Sequence, residues 1–244
     1  MHSAAFGALG LTHEYELRDV APEDLAGAVD GLRSPDTLGA NVTVPHKERI
    51  VPFLDAVAPE ALRIGAVNTV VKTEDRLRGE NTDRAGFTAA LDESGVFVRG
   101  KRVLVLGAGG AARAVIIALT KGGARIEVAN RTQARARLLA SLFGVTAVAW
   151  PERLDGYDLV VNATSAGLHG EDPLAGMALP RKMVVVDLVP MREETVLLTR
   201  ARAEGCVVVD GLLMLLHQAA GSFTLWTGRE APLEAMRAAL PRMV

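Results

Sequence analysis

Val103-Leu104-Val105-Leu106-Gly107-Ala108-Gly109-Gly110-Ala111-Ala112 decides how this chain is read. Its four apolar residues have the length of a buried strand, and the alanine-rich run from Ala111 to Leu119 has helical composition. Between them, Gly107-x-Gly109-x-x-Ala112 places small residues where a strand-to-helix turn has least room. Gly107 permits the tight turn, Gly109 lets the backbone approach a pyrophosphate, and Ala112 lets the helix pack closely on the strand. The free N–H groups of the first helical turn then face an anion. Gly107, Ala108, Gly109, Gly110 and Ala111 are therefore expected to hold a dinucleotide. Which one depends on the tip of the second strand, where an acid would select NAD by bonding the ribose 2'-hydroxyl. Here Ile126-Glu127-Val128-Ala129 runs into Asn130-Arg131-Thr132. The planar fork of Arg131 suits a 2'-phosphate, Thr132 adds a hydroxyl, and Arg135 follows one turn later. Glu127 lies too early to reach the tip, so these residues predict NADP (NADPH).

Outward from this loop, Leu159 to Asn162 and Met183 to Asp187 repeat the short apolar run, and Ala134 to Phe143 has helical composition. Such runs, alternating with helical segments, predict buried parallel strands joined by crossover helices. Leu212 to Leu225 and Leu233 to Leu240 read as two terminal helices. Upstream the pattern differs. Met1 to Leu9 reads as a helix, Glu14 to Val20 alternates weakly like an edge strand, and Pro22 opens a helix carrying Leu25, Val29 and Leu32. Asn41 to Val44 reads as a short strand and His46 to Leu54 as a helix with Ile50, Phe53 and Leu54 inward. Ala66 to Val71 and Leu77 to Thr82 form a hairpin across Glu74-Asp75, and Asp83 to Leu91 is helical. The expected class is α/β with two domains. Residues 1–98 form the substrate-binding catalytic domain, completed by C-terminal helices within 212–244, and residues 99–211 the Rossmann-type NADP-binding domain with a parallel sheet.

Of the 244 residues, 49% are hydrophobic and 23% charged, which suits a globular chain with a sizeable core. The formal net charge of -2 and the scattered basic residues carry no footprint for nucleic acid. No apolar run reaches bilayer-spanning length, and residues 1–10 lack the basic and apolar regions of a signal peptide. With Cys206 as the single cysteine, no intrachain disulfide can form, so a cytoplasmic location is expected. Cys206 itself is read as an inert core residue in an apolar strand. His2, His13, His46, His169 and His217 show no metal-ligand spacing with one another or with Cys206, so no metal is expected. His46 is read as a surface neighbour of Lys47, and His217 as a packed helix residue.

Three polar corners in the first domain carry the chemistry: Asn41-Val42-Thr43-Val44-Pro45-His46-Lys47, Asn68-Thr69 and Asn81-Thr82-Asp83. Hydride transfer to a ketone leaves charge on its oxygen, so a proton donor must be held beside the carbonyl. Lys47 can serve, and a carboxylate at Asp83 would orient its ammonium and stabilise the charged form. Asn68 and Asn81 offer amides and Thr43 and Thr82 hydroxyls near strand ends, a set that suits a polyhydroxylated substrate.

Taken with Gly65-Ala-Val-Asn-Thr, Gly107-Ala-Gly-Gly-Ala, Asn130-Arg-Thr, Asn162-Ala-Thr-Ser and Asp210-Gly-Leu-Leu-Met-Leu-Leu-His-Gln218, these corners make the chain resemble the shikimate dehydrogenase family over nearly its whole length. The resemblance implies that Lys47 and Asp83 are the catalytic pair, with Thr43, Asn68, Asp83 and Gln218 on substrate hydroxyls. It also implies that Thr164, Leu188 and Gly211 line the nicotinamide end of the cofactor site. The implied reaction is the reversible NADPH-dependent reduction of 3-dehydroshikimate to shikimate, in the chorismate route to aromatic amino acids.

Departures from the family pattern set further expectations. The family usually begins with a strand and a Ser-x-Ser-Pro motif that binds the substrate carboxylate, then a helix with His-Asn-Ala-Ala-Phe. This chain opens at Met1-His2-Ser3-Ala4-Ala5-Phe6, inside that helix. The expectation is an N-terminally short chain whose first sheet lacks its first strand and whose substrate binding is weakened roughly a hundred- to ten-thousandfold. Pro190 stands where the family commonly has a tyrosine, while Arg84 and Leu213 replace glycines. A quinate dehydrogenase of the same family is one alternative. A non-catalytic NADP-binding sensor is another, against which the retained Lys47 and Asp83 argue. A monomer or homodimer is expected.

Overall fold

The computed structural model describes residues 1–240, so the last four positions of the expected 212–244 segment lie outside the described residues. The chain divides into two compact units, residues 1–85 with 216–240 and residues 86–215.

The second unit is built on a six-stranded, wholly parallel sheet. Its strands are β5 (Arg102–Leu106), β6 (Arg125–Ala129), β7 (Thr146–Ala147), β8 (Leu159–Asn162), β9 (Val184–Asp187) and β10 (Val207–Asp210). Their spatial order is β10-β9-β8-β5-β6-β7. Burial of both faces explains the unbroken apolar runs: Val103 to Leu106 and Leu159 to Val161 are buried throughout. Two clusters cover the faces, one with Val105, Val115, Ile116, Leu119 and Leu139, the other with Leu104, Leu106, Val160, Val185 and Leu198. Helices α5 (Gly110–Lys121), α6 (Gln133–Phe143) and α7 (Val196–Ala203) provide much of this cover. The chain leaves β5 toward β6 on one side and reaches β8 on the other, so the strand order reverses at β5, the switch point where ligands of such sheets bind.

One connection departs from the expected crossover helix. Between β8 and β9 the backbone makes only turns, because Gly167, Gly170 and Gly176 take positive φ and Pro173 and Pro180 interrupt it. Arg200 organises the segment by donating to the carbonyls of Met177 and Leu174 and pairing with Asp172 at 2.7 Å. Cys206 is corrected as well. It lies one residue before β10, half-buried, with its thiol 3.5 Å from the carbonyl of Pro180 and its pKa raised by burial.

The first unit contains a four-stranded sheet in the order β1-β3-β4-β2, from β1 (Gly39–Asn41), β2 (Ala56–Val57), β3 (Thr69–Thr73) and β4 (Arg76–Glu80). β3 and β4 form the expected hairpin, with Glu74 at a φ of 55° in its turn. Leu77 points inward between the exposed Arg76 and Arg78, and packs with Leu25 and Val29 of α2 (Leu25–Gly31), Ile50, Ala61 of α3 (Pro59–Ile64) and Val70. A separate cluster joins Ala5 and Phe6 of α1 (His2–Ala8) to Leu216, Ala219 and Phe223 of α8 (Gly211–Thr227) and Met236 of α9 (Leu233–Ala238).

Two expected elements are absent. Residues 14–20 take no regular structure, and Leu17 within them is 91% exposed, because no neighbouring strand pairs with them. Residues 46–54 form turns and one 3-10 turn (Val51–Phe53) instead of a helix, since Pro52 supplies no N–H. Ile50 is buried as expected, but Phe53 is exposed.

Candidate active site

Lys47 follows a cis Val44–Pro45 bond, and its own carbonyl accepts the N–H of Val67 at 2.8 Å. That bond pins the turn to the entrance of β3. Asp83 opens α4 (Asp83–Glu93), where the free N–H groups of the first turn favour a carboxylate. The Lys47 ammonium lies 2.6 Å from Asp83 Oδ2, with side chains 16% and 3% exposed. The carboxylate is thus withdrawn from solvent while the ammonium keeps an open side.

Asn68 fixes the other carboxylate oxygen. Its Nδ2 lies 2.9 Å from Asp83 Oδ1, 2.9 Å from Thr82 Oγ1 and 3.0 Å from Gln218 Oε1, so two N–H groups serve three acceptors. Its Oδ1 accepts the backbone N–H of Thr82 at 2.8 Å and the hydroxyl of Thr69 at 3.0 Å. The amide therefore has one sensible orientation. A further layer holds it: Thr69 meets the Ser222 hydroxyl at 2.7 Å, and Asn41 donates to the same hydroxyl at 2.9 Å.

The structure thus brings Lys47, Asp83, Asn68 and Gln218 together. Thr43 lies exposed on the same turn as Lys47, its carbonyl accepting from His46. Asn81 plays a different part from the one expected. Its Nδ2 donates to the carbonyl of Ala66 and its Oδ1 accepts the N–H of Asp83 at 3.0 Å, which spends the amide on positioning the start of α4. His46 is corrected too: it is buried, and its ring bonds the carbonyl of Val20 at 2.7 Å. Asn41 and Ser222, which sequence reasoning does not assign, act through partners distant in sequence.

In the second unit, the cofactor loop meets the demands of a dinucleotide. Gly107 has a φ of 114°, and a Cβ there would lie 2.7 Å from the carbonyl oxygen of Ala163. Gly109, at the start of α5, would point a Cβ into open space, and no side chain caps the helix. The first-turn N–H groups are left for an anion, and Ala112 is fully buried as close packing requires. At the tip of β6, Asn130 donates to the carbonyl of Thr132, shaping the turn. Arg131 and Arg135 are exposed and pair with no carboxylate among the described residues. Glu127 sits mid-strand and is bound by Arg102 at 2.9 Å and by the Tyr157 hydroxyl, so no acid occupies the tip. These residues fit an NADP carrying a 2'-phosphate.

Thr164 and Leu188 leave the ends of β8 and β9 and are half-buried. Gly211 explains its own identity: a Cβ would lie 2.7 Å from both the Asp187 carbonyl oxygen and the Leu188 carbonyl carbon. Among the described residues no group of His, Cys, Asp and Glu could hold a metal ion, and no helix is long and apolar enough to cross a membrane.

The chain matches three family descriptions in succession: a shikimate dehydrogenase substrate binding domain over residues 1–70, a shikimate / quinate 5-dehydrogenase over 90–192, and a shikimate 5'-dehydrogenase C-terminal domain over 211–240. It is 47% identical to the shikimate dehydrogenase (NADP(+)) of Moorella thermoacetica, covering 97% of this chain and 85% of that one. Among solved structures it is similar to shikimate 5-dehydrogenase from Thermus thermophilus in complex with NADP(H) and shikimate. The TM-score is 0.88 at 42% identity, covering 100% and 93% of the two chains. A quinate dehydrogenase from Corynebacterium glutamicum in complex with NAD has a TM-score of 0.85 at 33% identity, covering 97% and 91%.

Proposed function

Because the chain belongs to the shikimate dehydrogenase family, we propose that it reduces 3-dehydroshikimate reversibly to shikimate with NADPH, using Lys47 and Asp83 as its catalytic pair. The observation that carries the assignment of roles is the largely buried 2.6 Å ion pair between them. Bound NADPH supplies the hydride. Lys47 donates a proton from its ammonium to the carbonyl oxygen as negative charge develops there, and solvent returns the proton to the amine afterwards. Asp83 touches the ammonium throughout, which holds Nζ in place. Asn68, Gln218 and Thr43 bind and orient the ring hydroxyls, so that the ketone rather than a neighbouring carbon faces Lys47.

In this reading the first unit binds the substrate, and the second binds NADP through Gly107 to Ala111, Asn130, Arg131, Thr132 and Arg135. Thr164, Leu188 and Gly211 border the nicotinamide end. Arg131 and the absence of an acid at the tip of β6 favour NADP over NAD.

The test is reduced nicotinamide formation by the purified chain with shikimate and with quinate, each with NADP+ (giving NADPH) and with NAD+ (giving NADH). The highest kcat/KM should fall on shikimate with NADP+. A higher value for quinate would move the chain to the quinate-oxidising branch of the family, and NADPH formation with neither substrate would contradict the proposal.

A further inference from the structure

A buried polar knot ties together the two backbone segments that lead out of β8 and β9, and neither end of it is explained by the chemistry above. Asn162 and Asp187 are the last residues of these strands, paired in register, and both are wholly buried. Asn162 Nδ2 donates to Asp187 Oδ1 at 2.9 Å and to the carbonyl of Ala166 at 2.9 Å. Asn162 Oδ1 accepts the backbone N–H of Thr164 at 3.1 Å and its hydroxyl at 2.7 Å. The Thr164 hydroxyl in turn accepts the N–H of Ala166 at 3.0 Å. On the other side, Asp187 Oδ1 accepts the N–H of Val189 at 3.2 Å, and Oδ2 accepts the hydroxyl of Thr195 at 2.6 Å. One carboxylate therefore holds the segment 162–166 and the segment 188–189 at once.

An ionisable side chain costs free energy in so apolar a place, and burial does push the Asp187 carboxyl above the ordinary carboxylate range. Neighbouring strands of this sheet are already joined by their ladder and by packing, so the knot adds little to the sheet itself. What it adds is a fixed direction for Thr164 and Leu188 beyond the strand ends.

We infer that Asp187 is a positioning residue that, with Asn162, holds the loops after β8 and β9 in the arrangement that receives the nicotinamide end of NADP. This rests on the reading above that Thr164 and Leu188 border that end. Asp187 does not touch the cofactor and acts through the backbone it orders.

The chemistry separates this role from simple stabilisation. In Asp187→Ala both loops lose their common acceptor. In Asp187→Asn the amide oxygen still accepts from Asn162 and Val189, while the amide N–H turns toward the Thr195 hydroxyl, which can accept. Affinities for NADP+ and for adenosine 2',5'-bisphosphate, which lacks the nicotinamide end, are measured by calorimetric titration with melting temperatures alongside. Asp187→Ala should weaken NADP+ binding about tenfold or more and leave the bisphosphate within about twofold, and Asp187→Asn should restore NADP+ binding to within about threefold. Thr195→Val, which keeps the side-chain shape and removes the bond to Asp187 Oδ2 together with the cap on the Leu198 N–H, serves if the alanine variant does not fold, with a smaller loss confined to NADP+.

A lower melting temperature with unaltered NADP+ affinity would overturn the inference, as would equal losses for both ligands or an asparagine variant as impaired as the alanine. Failure of the cofactor reading looks different: the unsubstituted chain would then bind neither ligand saturably, which overturns both.

Discussion

At the scale of single residues, the site depends on a few side chains whose partners are fixed on every side. Asn68 is 1% exposed and bonds residues 14, 15 and 150 positions away, so its value lies in holding Asp83 and Gln218 together. Asn68→Ala should leave Asp83 Oδ1 short of a donor, raise KM for shikimate and lower stability by about 1–3 kcal/mol, readable as a lower urea midpoint. A KM unchanged within error would remove Asn68 from substrate binding. Arg131 makes a separate prediction. As the exposed cation at the tip of β6, it should contribute to NADP+ and not to NAD+, so Arg131→Ala should weaken NADP+ binding about 10- to 100-fold and leave NAD+ unaffected. Parallel loss of both would mean that it acts on the turn and not on the phosphate. Lys47 and Asp83 were legible as a pair from the sequence because both lie beyond strand ends among asparagines and threonines, although only Asp83 opens a helix and Lys47 sits in a run of turns. The layer behind them was not. Asn41 and Ser222 are 181 residues apart, and no local pattern says that they share a hydrogen bond.

At the scale of elements, legibility followed the number of buried faces. β5, β8 and β9 read clearly because burial on both sides leaves no polar alternation to confuse them, and the glycine loop after β5 has its helix where the small residues require it. Segments governed by tertiary partners read poorly. Residues 14–20 alternate like a strand yet find no ladder, and residues 46–54 have a helical apolar spacing that Pro52 overrides. The turns between β8 and β9 were foreshadowed by their density of glycine and proline, a local signal outweighed by the expectation of a helix in every crossover. α7 and β10 carry a weaker signal, since much of their surface faces solvent. Close approach of elements gives a sharper test. Gly79 in β4 would put a Cβ 2.6 Å from Leu54 Cδ1 and 2.7 Å from Val67 Cγ2. Gly79→Ala should therefore cost about 1–3 kcal/mol of stability through overpacking, with the urea midpoint lowered and the slope of the transition retained. An unchanged midpoint would show that Leu54 and Val67 yield freely.

Across the whole molecule, the presence of two units was foreshadowed by the change of pattern near residue 100, where polar corners give way to apolar strands, although the compact units divide after residue 85. One global property was hidden in the sequence. His2 is 5% exposed, bonds Asn41 Oδ1 at 3.1 Å and stacks on Tyr15, and burial lowers its pKa to about 4 from 6.5. The folded chain keeps the ring neutral while the unfolded chain protonates it. The contribution is therefore fully present above pH 6.5 and falls as pH drops toward 4, by about 3 kcal/mol in total. Asp187 and Asp210, whose carboxyls burial raises, act in the opposite sense, so the informative quantity is the difference between the unsubstituted chain and His2→Gln. Urea midpoints taken between pH 7 and pH 4 should decline less steeply for the variant, and identical slopes would show that His2 does not carry the effect. Proton donation to the substrate oxygen by the Lys47 ammonium is the step on which the proposed reaction turns. It is tested most directly by steady-state turnover of shikimate and NADP+ for the unsubstituted chain and for Lys47→Ala, with NADP+ affinity measured on both. Turnover should fall by about 100- to 10,000-fold with NADP+ affinity unchanged. Turnover within a few-fold of the unsubstituted chain, or a loss explained wholly by weaker NADP+ binding, would contradict it.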